Sequence, residues 1–253
     1  MELVPNARLR ILGPLALTCA GTRADLGTPQ QQAVLAVLLA NAGTPVPLGR
    51  LVDDLWGAGA QPGAGSVVRT YVSRLRRALA PFGLNGTLTS RHGAYRLDPA
   101  PLTLDADRFV SLVAKARRER PAADAARLFE AAFSLWNGTA LAGVPGDSAA
   151  RERSRLTRLW LDAVQDWMWL RMTLGEHREV AAGLPLLLED HRWDEPLYEI
   201  YLTALHRSGR RAEALSVYRK TRELFSHELG VGPGPGLRAV HEEILTGVVR
   251  RAS

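Results

Sequence analysis

The sequence predicts a mainly α-helical chain with a small N-terminal α+β region. Residues 8–97 show short strands, three helices and a hairpin, in that order, whereas the later segments have helical periodicity and no strand pattern. A repeat lies in that helical part, because Gly175-Glu-His-Arg-Glu179 recurs 34 residues later as Gly209-Arg-Arg-Ala-Glu213. Thirty-four residues is the tetratricopeptide period, so the second region is expected to contain tetratricopeptide-like helical repeats.

The N-terminal elements each carry a local signal. Residues 8–12 alternate polar and apolar side chains and a turn is expected at Gly21, so two or three short strands are predicted over residues 8–26. Thr28 is a typical N-cap and Pro29 a typical first helical residue, so a helix is expected from there to Asn41. The remaining predictions are a helix over 48–56, a glycine-rich loop over 57–65, a helix over 66–79 and a hairpin over 87–97 around His92-Gly93.

The third of these helices has two unlike faces. At 100° per residue, an apolar stripe is formed by Val68, Val72, Leu75 and Leu79. The opposite side carries small hydroxyls and arginines: Ser66, Thr70, Ser73 and Arg77, flanked by Arg69, Arg74 and Arg76. Small residues allow a backbone to approach base edges, and arginine binds guanine or phosphate. A solvated face with ordinary salt bridges is the alternative, but residues 66–79 contain no acid to neutralise the arginines.

The hairpin completes the element order of a winged helix-turn-helix. Its tip carries Arg91 and His92, which are expected to contact the DNA backbone or minor groove, although a plain polar turn is the alternative. Tyr95 and Leu97 are expected to anchor the hairpin to the core. Arg74 and Arg77 are expected to bind phosphate, and Arg69, Thr70 and Ser73 to select bases, because recognition helices read bases with their N-terminal half. The predicted DNA-binding residues are Ser66, Arg69, Thr70, Ser73, Arg74, Arg77, Arg91 and His92.

A second domain is predicted over residues 101–253, after a DNA-binding domain over 1–100. Pro99 and Pro101 mark the junction, and the longest loop-like gap follows at 138–147. One buried stripe is expected from Ala212, Leu215 and Tyr218. Helices are expected over 106–118, 122–136, 149–174, 178–190, 195–207, 211–229 and 236–248.

The positive charge is concentrated in the first domain. The whole chain has a net charge of +6, of which residues 1–100 contribute +5, with ten arginines against five acids. Residues 101–253 are nearly balanced, with 22 basic and 21 acidic residues. This asymmetry predicts a polyanionic partner for the N-terminal part only.

Several classes of protein are disfavoured. A single cysteine, Cys19, excludes an internal disulfide framework and a multi-cysteine metal site. Residues 8–20 superficially resemble a signal peptide, but Gly13-Pro14 interrupts the apolar run, and no stretch is long enough to span a bilayer. The sequence shows no phosphate-binding loop, no metal-binding histidine spacing and no catalytic constellation. We therefore expect a cytoplasmic protein that is not an enzyme and needs no cofactor or metal.

The sequence resembles the Streptomyces antibiotic regulatory protein family across nearly its whole length. The matching stretches follow the family's order, and the combination is specific although no single piece is. In the first domain they are Leu12-Gly-Pro-Leu15, Thr28-Pro-Gln-Gln-Gln32, Leu51-Val-Asp-Asp-Leu-Trp56, Tyr71-Val-Ser-Arg-Leu-Arg-Arg-Ala-Leu79 and Gly93-Ala-Tyr-Arg-Leu97. In the second they are Ala132-Phe-Ser-Leu-Trp-Asn-Gly138, Gly209-Arg-Arg-Ala-Glu-Ala-Leu-Ser-Val-Tyr218 and Glu228-Leu-Gly-Val-Gly-Pro-Gly-Pro-Gly-Leu237.

The resemblance implies a transcriptional activator with an OmpR-type winged helix and a bacterial transcriptional activation domain. It implies binding to direct repeats near a promoter's −35 region as a side-by-side pair, and contact with RNA polymerase, including its sigma factor. The target would be an antibiotic or other secondary-metabolite gene cluster. Two alternatives stay open from the residues alone: a repressor with the same DNA-binding domain, and a helical-repeat adaptor whose winged helix binds protein.

Overall fold

The computed structural model of the chain describes residues 7–100 and 102–247. The chain divides into two compact units. The first joins Met1–Arg118 to Arg127–Trp160, and the second joins Glu119–Ala126 to Leu161–Ser253. These units are defined by contacts within the chain and not by function, so the boundary at residue 100 between a DNA-binding and an activation domain remains a prediction.

The first unit begins with the elements of a winged helix. In chain order these are β1 (Ala7–Arg10), β2 (Ala16–Cys19), β3 (Thr22–Arg23), α1 (Pro29–Ala40), β4 (Val46–Pro47), α2 (Leu48–Trp56), α3 (Ala64–Leu79), β5 (Leu88–Arg91), β6 (Ala94–Leu97) and β7 (Leu102–Leu104). The predicted strands, helices and hairpin are confirmed, but α3 begins at Ala64, two residues before its predicted start and within the predicted loop. Thr28 caps α1 as expected, because its side chain accepts a hydrogen bond from the Gln31 amide at 3.3 Å.

The strands form two small sheets, ordered β3-β2-β1-β7 and β4-β6-β5. The expectation that no strand follows residue 100 is wrong, because β7 pairs in parallel with β1, with Ala7 opposite Leu102. Three residues are too few to show a strand periodicity, and the partner of β7 lies at the other end of the domain sequence. The four-stranded sheet therefore includes residues from beyond the predicted domain boundary.

The rest of the chain is helical, as predicted. The predicted end of α5 is wrong by three residues, because α5 stops at Phe133 rather than 136, and the other helix bounds lie within two residues of the prediction. The predicted end of α10, Val248, lies outside the described residues. The helices are α4 (Asp105–Ala116), α5 (Ala122–Phe133), α6 (Asp147–Thr173), α7 (His177–Asp190), α8 (Glu195–Arg207), α9 (Arg211–Leu229) and α10 (Pro235–Thr246).

A buried carboxylate fastens the start of α4 to the turn after β1. The two oxygens of Asp105 accept hydrogen bonds from the amides of Ile11 and Leu12, at 2.9 and 3.1 Å. Burial raises the pKa of the Asp105 carboxyl, and the two amide hydrogen bonds oppose that shift. This contact makes the Leu12-Gly-Pro-Leu15 motif dependent on a residue of the helical region.

The carbonyls of the same turn accept hydrogen bonds from the backbone that follows α5. Asn137 and Leu141 donate their amides to the carbonyls of Leu12 and Ile11, at 2.7 and 3.0 Å. Glycine is required at position 13, because a β-carbon there would lie 2.6 Å from the backbone oxygen of Asn137. The backbone after α5 and the turn after β1 therefore pack closely against each other and share hydrogen bonds.

The loop-like gap at 138–147 is ordered by one arginine of α6. The guanidinium of Arg153 donates hydrogen bonds to the carbonyls of Ala140, Leu141 and Val144, at 3.0–3.1 Å. These carbonyls have no strand or helix to pair with, so the arginine satisfies them in place of regular secondary structure. The segment is therefore a fixed loop within the first unit.

The 34-residue repeat is also present in the structure of the second unit, but the predicted buried stripe of α9 is partly wrong. Gly175 and Gly209 both take positive φ, at 84° and 81°, two residues before the starts of α7 and α9. Ala214 is fully buried and Tyr218 nearly so, whereas Ala212 is exposed and Leu215 half-buried. The buried stripe of α9 therefore begins two residues later than predicted, at Ala214, the repeat equivalent of the fully buried Val180.

Within residues 7–100 and 102–247, none of the helices is both long and apolar enough to cross a bilayer.

Candidate nucleic-acid interface

The apolar stripe of α3 fixes which side of the helix faces outward. Its four members are at most 3% exposed, as predicted: Val68, Val72, Leu75 and Leu79. Tyr71, beside this stripe, donates its hydroxyl to the Gln30 side-chain oxygen on α1 at 2.7 Å. Burial of the stripe and this hydrogen bond hold α3 at a fixed rotation, so the opposite face is presented as a unit.

The exposed face of α3 holds the six residues predicted there. All are exposed: Ser66, Arg69, Thr70, Ser73, Arg74 and Arg77. Thr70 and Arg77 lie near the centre of the face, and the Thr70 hydroxyl donates to the Ser66 carbonyl at 3.0 Å. Its hydrogen is therefore used within the helix, and the hydroxyl oxygen of this exposed residue can still accept a hydrogen bond. The structure places these side chains together; their roles in binding remain a prediction.

The tip of the β5–β6 hairpin is a tight turn. His92 and Gly93 both have positive φ, at 50° and 75°, which is the backbone of the two-residue turns that suit a twisted hairpin. Arg91 and His92 are exposed, so the structure leaves both predicted wing residues accessible. Tyr95 and Leu97 are 9% and 1% exposed, which confirms that they anchor the hairpin.

Arg76 differs from the other arginines of α3. The helical pattern predicts this side chain beside the outward face, but it is half-buried and donates its Nε to the carbonyl of Leu88 on β5 at 2.8 Å. This hydrogen bond ties the hairpin to α3. A sequence pattern does not reveal such a role, because the acceptor is a backbone atom of another element.

The start of α2 lies against both predicted DNA-binding elements. The Leu48 amide donates to the Gly93 carbonyl at the hairpin tip, at 3.0 Å. The side chain of Leu48 would also lie 3.3 Å from a β-carbon at Gly65, near the start of α3. Three elements therefore converge at one end of the domain: the first turn of α2, the first turn of α3 and the tip of the hairpin.

One candidate residue was missed. Val67 is 40% exposed on α3, next to the hydroxyl-bearing positions. An exposed methyl group on a recognition helix suits contact with the methyl group of thymine. The signal was present in the sequence, because Val67 lies 100° away from the buried Val68 and therefore falls outside the apolar stripe.

A second carboxylate joins α2 to the first turn of α6. One oxygen of Asp54 accepts hydrogen bonds from the amide and the hydroxyl of Ser148, at 2.8 and 2.5 Å, and from Arg151 at 3.3 Å. A negative charge at a helix N-terminus is stabilised by the helix dipole. The helix-turn-helix is thus connected directly to α6, and sequence reasoning did not find this pair because the residues are 94 positions apart.

Comparisons with known proteins agree with this arrangement. The profile described as "Bacterial transcriptional activator domain" matches residues 104–245, and the one described as "Transcriptional regulatory protein, C terminal" matches residues 22–97. The first of these alone covers more than half of the chain.

Named relatives align over most of this chain. Regulatory protein AfsR of Streptomyces coelicolor is 40% identical over 242 residues, which are 94% of this chain and 24% of AfsR. Regulatory protein DnrI of Streptomyces peucetius is 32% identical over 249 residues, which are 94% of this chain and 92% of DnrI. The chain therefore spans about a quarter of AfsR and nearly all of DnrI.

A solved structure has the same fold. The structure of Mycobacterium tuberculosis EmbR in complex with a low affinity phosphopeptide superposes with a TM-score of 0.87 at 32% identity. The match covers 98% of this chain and 67% of the EmbR chain.

A winged helix followed by a helical activator domain is the domain arrangement of transcriptional regulators. The chain belongs to the Streptomyces antibiotic regulatory protein family, as the sequence motifs implied.

Proposed function

We infer that this chain binds double-stranded DNA in a sequence-specific way and activates transcription from the promoter it binds. The observation that carries this inference is the outward face of α3, where exposed hydroxyls and arginines lie together and α3 contains no acid. Such a face matches the major groove, where arginine and small polar side chains read base edges. Residues 1–100 supply DNA recognition in this proposal, and residues 101–253 supply activation and pairing.

The finer parts of the proposal follow from family membership. The chain binds direct repeats near the −35 region of a biosynthetic gene cluster as a side-by-side pair. Its helical domain then contacts RNA polymerase, including the sigma factor. The near-neutral charge of residues 101–253 supports this division, because it offers little attraction to a phosphate backbone beyond local clusters.

The two halves of α3 are expected to respond differently to alanine. Arg69→Ala should cost about 1–3 kcal/mol of binding free energy on the preferred site alone, because it removes a base contact. Arg77→Ala should weaken binding to preferred and scrambled duplexes equally and reduce the salt slope by about one, because it removes a phosphate contact. Fluorescence anisotropy with the full chain measures both, on a site selected from a random DNA library.

A matched control is Arg219→Ala, which removes an exposed arginine from α9, outside the winged helix. It should leave both affinities unchanged. Equal losses from Arg69→Ala and Arg77→Ala on both duplexes would refute the assignment of roles.

Transcription with purified polymerase separates the alternatives. An increase in transcript from the selected site supports an activator, and a decrease identifies a repressor. Weak DNA binding that does not depend on salt would instead indicate an adaptor that uses its winged helix to bind protein.

A further inference from the structure

A groove lined by arginines lies between α2 and the first half of α6, within the first unit. Its cavity is about 580 Å³ and opens to solvent. Four arginines line it, and we call it the arginine groove: Arg50, Arg151, Arg155 and Arg158. The other lining residues are small or polar, namely Ala40, Asn41, Ser148, Ala150, Glu152 and Ser154.

The positive charge of the groove is only partly neutralised. Arg151 bonds to Asp54 at 3.3 Å, and its side chain remains 66% exposed. Arg155 is paired with Glu152 at 2.6 Å. Arg50 and Arg158 have no hydrogen-bond or ion-pair partner in the part of the chain that the structure describes, so two guanidinium groups are left to bind an anion.

One arginine of the groove lies in the first turn of α2, the turn that contacts the hairpin tip and the start of α3. Arg50 lies two residues after Leu48, whose amide bonds to the hairpin tip and whose side chain lies near the start of α3. On α6, Arg151, Arg155 and Arg158 follow at spacings of four and three, which place them on one face. That row extends roughly 10 Å along the helix, a length that passes several phosphates of a duplex.

We propose that the arginine groove binds the phosphate backbone of the DNA that flanks the bases read by α3. This inference rests on the proposed function and adds a contact made by the helical region. The lining favours DNA over a protein partner, because arginine, serine and asparagine are typical phosphate contacts, whereas protein interfaces have an apolar core that this groove lacks. Arg50 and Arg158 supply the two free charges, and the paired arginines add exposed guanidinium groups beside them.

The test is the salt dependence of DNA binding by the full-length Arg50→Gln/Arg158→Gln variant. The probe is a duplex of about 30 base pairs, roughly three turns long, that carries the selected site at its centre. The slope of log affinity against log salt should fall by about two, since each lost phosphate contact removes about one. The ratio of wild-type to variant affinity should accordingly grow roughly tenfold when salt is lowered from about 200 to about 50 mM.

The matched control is Arg219→Gln/Arg238→Gln, which removes the same charge from exposed positions on α9 and α10 and should leave the slope unchanged. An unchanged slope in the groove variant would overturn the proposal; if activation in vitro then falls, the groove binds an acidic protein segment instead. A wild-type chain that binds no duplex would overturn the proposed function as well, so the two failures are distinguishable.

Discussion

Replacing Ala214 by aspartate is expected to unfold the second unit. Ala214 is fully buried on α9 at a repeat position whose equivalent, Val180, is also fully buried. A carboxylate placed there is an unpaired buried charge, which costs several kcal/mol, a large part of the 5–15 kcal/mol that stabilises a typical domain. Urea unfolding followed by far-ultraviolet circular dichroism should show the loss as a lower midpoint and a reduced helical signal.

The control lies two residues away on the same helix. Ala212→Asp adds the same charge at an exposed position and should change stability by less than about 0.5 kcal/mol. Binding to the selected DNA site should persist in the Ala214→Asp protein, whereas activation and paired occupancy should be lost. Normal activation by Ala214→Asp would show that the helical region is not the activation domain.

Removing the Asp105 carboxylate is expected to loosen the winged helix from α4. In Asp105→Ala the buried amides of Ile11 and Leu12 lose their acceptors, and each unsatisfied amide costs about 1–3 kcal/mol. We expect the free energy of unfolding to fall by roughly 2–4 kcal/mol at neutral pH. Asp107→Ala, on the same helix but exposed, serves as the control. Equal losses from the two substitutions would contradict the role of Asp105.

The effect of Asp105 should also depend on pH. Burial raises the pKa of its carboxyl in the folded chain above the ordinary value of 3.8. The folded state therefore binds the proton more tightly than the unfolded state, and the contribution of Asp105 to stability is greatest below pH 3.8. It decreases as the pH rises through the folded pKa. The stability difference between wild type and Asp105→Ala should accordingly widen as the pH is lowered toward 3.8.

Helices, strands and turns that are determined by residues close together in the chain could be predicted from the sequence. Thr28 and Pro29 define the start of α1, the stripe from Val68 to Leu79 defines the rotation of α3, and His92-Gly93 defines the hairpin turn. In each case the residues that determine the structure lie within one element. The 34-residue repeat was found for the same reason, because its glycines recur beside a helix start.

Contacts between distant residues could not be predicted. The strand β7 forms only because β1 is beside it, and the carboxylates of Asp54 and Asp105 find partners about 94 residues away. The stripe of α9 was misplaced because Ala212 and Ala214 are chemically identical and only packing distinguishes them. The arginines of α6 gave no signal, since Arg50, which lines the same groove, belongs to another element.

The most direct test of DNA reading by α3 is protection of guanine N7 from dimethyl sulfate methylation. Guanine N7 lies in the major groove, where arginine binds it. The full chain on its selected site should protect specific guanines, and Arg69→Ala should restore methylation at one of them while the others stay protected. Binding that protects no guanine, or an Arg69→Ala pattern identical to wild type at equal occupancy, would contradict the reading of bases by this face of α3.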